Sequence, residues 1–195
     1  MTSSRLSSVP AVLMARREPS RRRRPPHRQP ANRILVVCCG NTEKLYFEGL
    51  KRSSHLTALK VVTETGSPEQ LVDYAVTIRR RAEDGFDQVW CVVDVDEFDV
   101  PKAIAAAEQT AVALAISDPC FELWLLLHFR GHNAYIDGAR AAKTLLTGHI
   151  AAYDKKIDFK VFAPNIDDAI ARAKLLGPDN PTTGVWRLVE AALGR

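Results

Sequence analysis

Four short apolar runs, each followed by a longer stretch of helical periodicity, constrain this chain more than any other feature. ILVVCC (34–39), ALKVVT (58–63), QVWCVVD (88–94) and AVALAIS (111–117) are almost uniformly hydrophobic, as strands covered on both faces are. Between the first two, TEKLYFEGLKR (42–52) has helical spacing, with Leu45, Tyr46, Phe47 and Leu50 supplying apolar faces. The next helix starts behind Ser67, with Pro68 at its first position and Gln70 three residues after the cap, a capping-box arrangement. Leu71, Val72, Ala75, Val76 and Ile78 make its buried face. A third helix runs 101–109 from Pro101, and PCFELWLLLHF (119–129) is a strongly apolar helix expected to open at Pro119 behind a Ser117–Asp118 cap. After Gly131 the pattern is helical only, at 138–147, 166–176 and 184–193, with Gly, Pro and Asn signals between, as in LGPDNPTTG. The alternation predicts an α/β fold: a parallel, doubly wound sheet of about four strands and a helical C-terminal region from about residue 131. In such a sheet ligands bind at the carboxyl ends of the strands.

Charge divides the chain differently. Residues 1–30 hold eight arginines and one acid, Glu18, a net of +7, against +4 for the whole chain; residues 31–195 are therefore at −3. The segment RREPSRRRRPPHRQPANR has almost no large apolar side chain, so it is expected to be a disordered arm (1–30) ahead of one folded domain (31–195). It has no apolar core of a secretory signal, and Met14 is an alternative start. Arg16, Arg17, Arg21, Arg22, Arg23 and Arg24 are candidate contacts to a nucleic-acid backbone; a solvated tail is the competing reading. No apolar run approaches the ~20 residues of a membrane span, and Cys38, Cys39, Cys91 and Cys120 form no CxxC pair. A cytoplasmic protein with small buried thiols is expected, without a zinc site.

The third apolar run ends abruptly in acid. In VWCVVDVDEFD, residues 89–99, Asp94, Asp96, Glu97 and Asp99 crowd into six positions at the tip of a buried strand. Like charges held together raise the free energy of the fold unless a cation intervenes. Period-two alternation sends Asp94 and Asp96 to the same side and Val95 to the other, and Mg²⁺ is commonly held by one or two carboxylates with water and substrate phosphate completing its shell. The alternative is a solvated acidic loop favoured by the dipole of the following helix.

The stretches ILVVCCGNTEKLYFEGLKR, VWCVVDVDEF, ISDPCFELWLLLHF and, more weakly, NPTTGVWRLVEAAL resemble the RloB-like proteins, a family of the wider Toprim group found in bacterial restriction and phage-defence loci, often beside an ATPase. The resemblance implies a Toprim-like fold and Mg²⁺- or Mn²⁺-dependent phosphoryl chemistry. It makes Asp94 and Asp96 metal ligands of the DxD motif and Glu122, in the F-E-x-W signature, a further ligand or a supporting group. The family's first motif reads C-E-G-x-x-T-E; here it is Cys38-Cys39-Gly40-Asn41-Thr42-Glu43, one residue shorter, with a thiol in place of the first Glu. Glu43 matches the second Glu, and Asn41 is expected to cap the helix that follows. Trp124, Phe121, Tyr46, Phe47 and Trp90 are expected in the core, and His128 at a helix end.

Two functions follow. One is a nuclease-like defence component, with Asp94 and Asp96 on the metal, Glu43 orienting or deprotonating water, and the arginine arm gathering DNA or RNA. The other is a catalytically degenerate module that binds nucleic acid or serves as adaptor to a neighbouring ATPase. The chain has no P-loop, and CCGNTE has too few glycines for a dinucleotide fingerprint.

Overall fold

The computed structural model describes residues 32–95, 100–150 and 153–195. Strands β1 (Ile34–Cys38), β2 (Leu59–Thr63), β3 (Gln88–Asp94) and β4 (Ala113–Asp118) alternate with helices α1 (Asn41–Ser53), α2 (Pro68–Arg81) and α3 (Val100–Thr110). The four strands are parallel, in the order β2-β1-β3-β4, and Val36 in β1 aligns with Val61 on one side and Trp90 on the other. This is the doubly wound sheet that the apolar runs predict. A two-residue strand, β5 (Thr182–Thr183), is added antiparallel to the end of β4. It lies in the region read as purely helical, and it is too short to carry a periodic signal.

Strand alternation separates two cores. Ile34, Val36 and Cys38 point to the face covered by α1 and by the C-terminal helices α4 (Glu122–Leu127), α5 (Gly138–Thr147), α6 (Ile166–Lys174) and α7 (Val185–Leu193). Leu35 and Val37 point to the other, where they meet Leu71, Val72 and Ala75 of α2 and Ala107 of α3. The first core is the larger and holds Tyr46, Phe47, Phe121 and Trp124 as expected, while Trp90 packs at its margin, half-buried. Two 3-10 turns, Phe159–Val161 and Ala163–Asn165, add Phe159 and Phe162 to it. Gly49 of α1 makes room for the first: a methyl group there would collide with Cβ and Cγ of the Phe159 side chain.

Local signals hold where they are self-contained. Ser67 caps α2 through its hydroxyl, which accepts from the Gln70 N–H at 3.4 Å, while Gln70 Oε1 accepts from the Ser67 N–H at 2.8 Å. The apolar segment 119–129 behaves otherwise. The chain stays extended to Asp118, passes through a cis Asp118–Pro119 bond, and becomes α-helical only at Glu122. The expected Ser117–Asp118 cap is absent because both residues belong to β4: Ser117 pairs with Thr183, and Asp118 Oδ1 accepts from Asn180 Nδ2 at 2.9 Å. Asn41 is likewise the first residue of α1 rather than its cap; that place is taken by Gly40, which forms no side-chain bond. No helix among the described residues is long and apolar enough to cross a membrane.

Candidate functional site

From β1 the chain crosses to β2 on one side and returns past β1 to β3 on the other, so α1 and α2 leave the sheet on opposite faces. Between the carboxyl ends of β1 and β3 this reversal leaves a crevice. A cavity of about 320 Å³ fills it. Its wall is built from the Cys39–Glu43 turn after β1, Thr65 and Gly66 after β2, Asp94 at the tip of β3, Phe121 and Glu122 at the start of α4, and Lys155.

Glu43 belongs to the first turn of α1 and is 5% exposed. Its carboxylate folds back over Gly40, so closely that a methyl group at position 40 would stand 2.5 Å from Oε2. The Cys39 thiol donates to Oε1 at 3.4 Å. Burial pushes the Glu43 carboxyl above its ordinary range; its own backbone N–H and the Cys39 thiol pull it down, the Glu122 charge pushes it up and Lys155 pulls it down. Cys39 is raised far more strongly, by burial first and then by the Glu43 and Asp94 charges. It is a neutral thiol that can donate to a carboxylate but is a poor ligand for a hard cation.

Glu122 opens α4 and is 7% exposed. Its Oε1 accepts a hydrogen bond from the Tyr153 hydroxyl at 3.0 Å. Burial, followed by the Glu122 charge, drives the phenol of Tyr153 upward, which keeps it a donor. The next residues close over the mouth of the turn: Thr42 Oγ1 donates to the Lys155 carbonyl at 3.1 Å, and Lys155 has a left-handed φ of 70°. Asp154 Oδ1 accepts from the Lys156 N–H at 3.1 Å and tightens the bend. Lys155 is exposed and is the one lysine or arginine on the cavity wall among the described residues.

Of the expected site residues, Glu43, Asp94 and Glu122 therefore meet on one cavity, from three separate elements. Asp96 lies outside the described residues, as do Arg16, Arg17, Arg21, Arg22, Arg23 and Arg24. Among the described residues no group of three His, Cys, Asp or Glu side chains is close enough to form a complete metal cage. The donors are nevertheless hard oxygens on one open cavity, the ligand type that Mg²⁺ or Mn²⁺ takes; one or two carboxylates with waters are its usual protein share. Thr42, Tyr153 and Lys155 were not legible as site residues. Tyr153 and Lys155 come from a segment of mixed polarity without periodicity, and nothing in YDKK itself points to Glu122; Thr42 lies in the first turn of α1 and is tied to the site by its bond to the Lys155 carbonyl.

His128 is elsewhere. It is 1% exposed, Nδ1–H donates to the Trp124 carbonyl at 3.0 Å, and Nε2 accepts from the Tyr46 hydroxyl at 3.1 Å. His128 does stand at the C-terminal end of α4, but as a buried, neutral ring beneath α1 rather than as a charge on the helix dipole. Burial first, and the Arg172 charge, hold it down to about 4, against the pull of its bond to Trp124.

A family model described as RloB-like protein matches residues 34–191. No curated protein and no solved structure gives a significant match.

Proposed function

The chain belongs to the RloB-like family, and from that premise we propose that it is a metal-dependent, nuclease-like component of a bacterial defence system acting on nucleic-acid phosphodiesters. One observation carries the reading: Glu43, Asp94 and Glu122, far apart in sequence, converge on a single cavity at the sheet's reversal point. Convergent acids, Glu43 and Glu122 buried and Asp94 half-buried, oppose folding by repulsion and desolvation, which supports a cation and a phosphate as what they are there to meet.

Asp94 and Glu122 would hold Mg²⁺ or Mn²⁺, with Asp96 beside them if the DxD motif is used whole. Bound there, the ion would supply Lewis acidity toward a phosphate oxygen and lower the pKa of water. Glu43 would take a proton from water; its upward-shifted pKa supports the role, since a general base works best near neutrality. Tyr153 fixes Glu122 by engaging one carboxylate oxygen. Lys155, anchored through its carbonyl by Thr42, offers the positive charge that a phosphate needs beside three acids. The arginine arm would add sequence-independent contacts to DNA or RNA.

The test is cleavage of plasmid DNA and of RNA with Mg²⁺ or Mn²⁺. Asp94→Asn should reduce metal-dependent cleavage to background while the thermal transition stays in place; unchanged cleavage would reject the assignment. A second reading, a nucleic-acid-binding module or adaptor to a neighbouring ATPase, is favoured by Cys39, which places a neutral thiol where the family's first motif has a carboxylate. It predicts salt-sensitive binding and no turnover under any divalent metal.

A further inference from the structure

A second cavity, of about 550 Å³, opens on the outer edge of β4, away from β3. β5 covers only Ser117 and Asp118 of that edge, and the Gly184 N–H adds one bond to the Ile116 carbonyl at 2.7 Å. Strand alternation aims the backbone N–H and C=O of Leu114, two residues earlier, in the same direction. The half-buried side chains of Leu114 and Ile116, with Ile104 of α3 at 39% exposure, form an apolar wall.

The opposite wall is cationic. Lys174 Nζ and Arg187 Cζ each lie 4.9 Å from the centre of the Trp186 ring, which holds both groups at the mouth. Lys174 is paired with Glu190 at 2.6 Å. Arg187 is exposed and enters none of the salt bridges formed among the described residues. A guanidinium stacked in place, with no ion pair among the described residues, is suited to phosphate. An apolar wall with backbone donor and acceptor groups along its strand edge suits a flat heterocycle, and the volume is that of a small-molecule site.

We propose that this cavity binds a nucleoside phosphate unit, with the base along the Leu114–Ile116 edge and the phosphate on Arg187. A free mononucleotide and one unit of a single-stranded nucleic acid share that chemistry. The proposal goes beyond the acidic cleft and does not require that cleft to cut.

Calorimetry on the full chain with a mixture of 5′-mononucleotides, and anisotropy with labelled oligo(dT) and oligo(rU) at ~0.15 M salt, separate the two sources. Arg187→Gln, an exposed change, should weaken binding at least about tenfold, the loss expected for one charge-assisted bond to phosphate. Arg80→Gln, the same exposed charge change on α2 away from both cavities, should leave the mononucleotide affinity within about twofold, well under the tenfold that 1.4 kcal/mol represents. A tenfold loss with mononucleotides identifies a free nucleotide as the ligand; a loss confined to oligonucleotides identifies a strand. If neither probe binds, or if Arg187→Gln leaves both affinities unchanged, the proposal is overturned.

Discussion

Replacing His128 by Gln should flatten the pH dependence of stability between neutrality and pH ~5, within the window that burial opens below the ordinary histidine pKa. The folded ring is held down to about 4 from an ordinary 6.5, by burial first. Below 6.5 the unfolded chain takes up a proton that the folded chain refuses until about 4. The contribution is therefore fully present above 6.5, lost progressively as pH falls, and exhausted below about 4. At ~1.36 kcal/mol per unit the whole window amounts to roughly 3 kcal/mol, of which about 2 falls between pH ~7.5 and ~5. Glutamine keeps a donor for the Trp124 carbonyl and an acceptor for the Tyr46 hydroxyl, the two bonds the ring makes, and it does not titrate. Glu43 works in the opposite sense. Its raised pKa makes the folded state bind the extra proton, so its contribution is present at low pH and lost as pH rises through the folded value. Because Glu43 is present in both proteins, the comparison cancels it. Urea denaturation at the two pH values should show the natural protein losing about 2 kcal/mol more than His128→Gln. Equal losses would refute the assignment of a neutral, buried imidazole beneath α1.

Cys39→Glu restores the carboxylate of the family's first motif, on a wall that borders open volume. Metal-dependent cleavage above that of the natural protein would show that the thiol limits the site, and the same assay at equal metal concentration reads it. Lys155→Ala removes the cavity's lysine; it should raise KM for nucleic acid more than it lowers kcat, read from initial rates, and should leave the melting temperature nearly unchanged because the side chain is exposed. Gly49→Ala drives a methyl group into the root of the Phe159 side chain, where no rotamer change can relieve it. A net destabilisation of about 1–3 kcal/mol is expected despite the better helix propensity of Ala, measured by denaturant unfolding.

What the sequence alone determined here is what a few neighbouring residues decide. β3 was legible to the residue, Gln88–Asp94, because it is apolar on both faces and ends at an acid. The start of α2 was legible because Ser67, Pro68 and Gln70 satisfy one another within one turn. The acids were legible as motif positions, and the parallel sense of the strands followed from strand–helix alternation, while their order came from the fold. Tertiary structure alone decided that Glu43, Asp94 and Glu122 share a wall, that Tyr153 reaches back 31 residues to Glu122, and that Thr42 holds Lys155 across 113. It also delayed the start of the apolar helix to Glu122, by pairing Ser117 and Asp118 with a strand 66 and 64 positions away in register, and it made His128 a core group by setting Tyr46 against it. Such contacts leave no mark of period 2 or 3.6, since the chain between the partners imposes no fixed spacing on them. They arise only when the sheet has closed and buried surface selects which distant groups must satisfy one another.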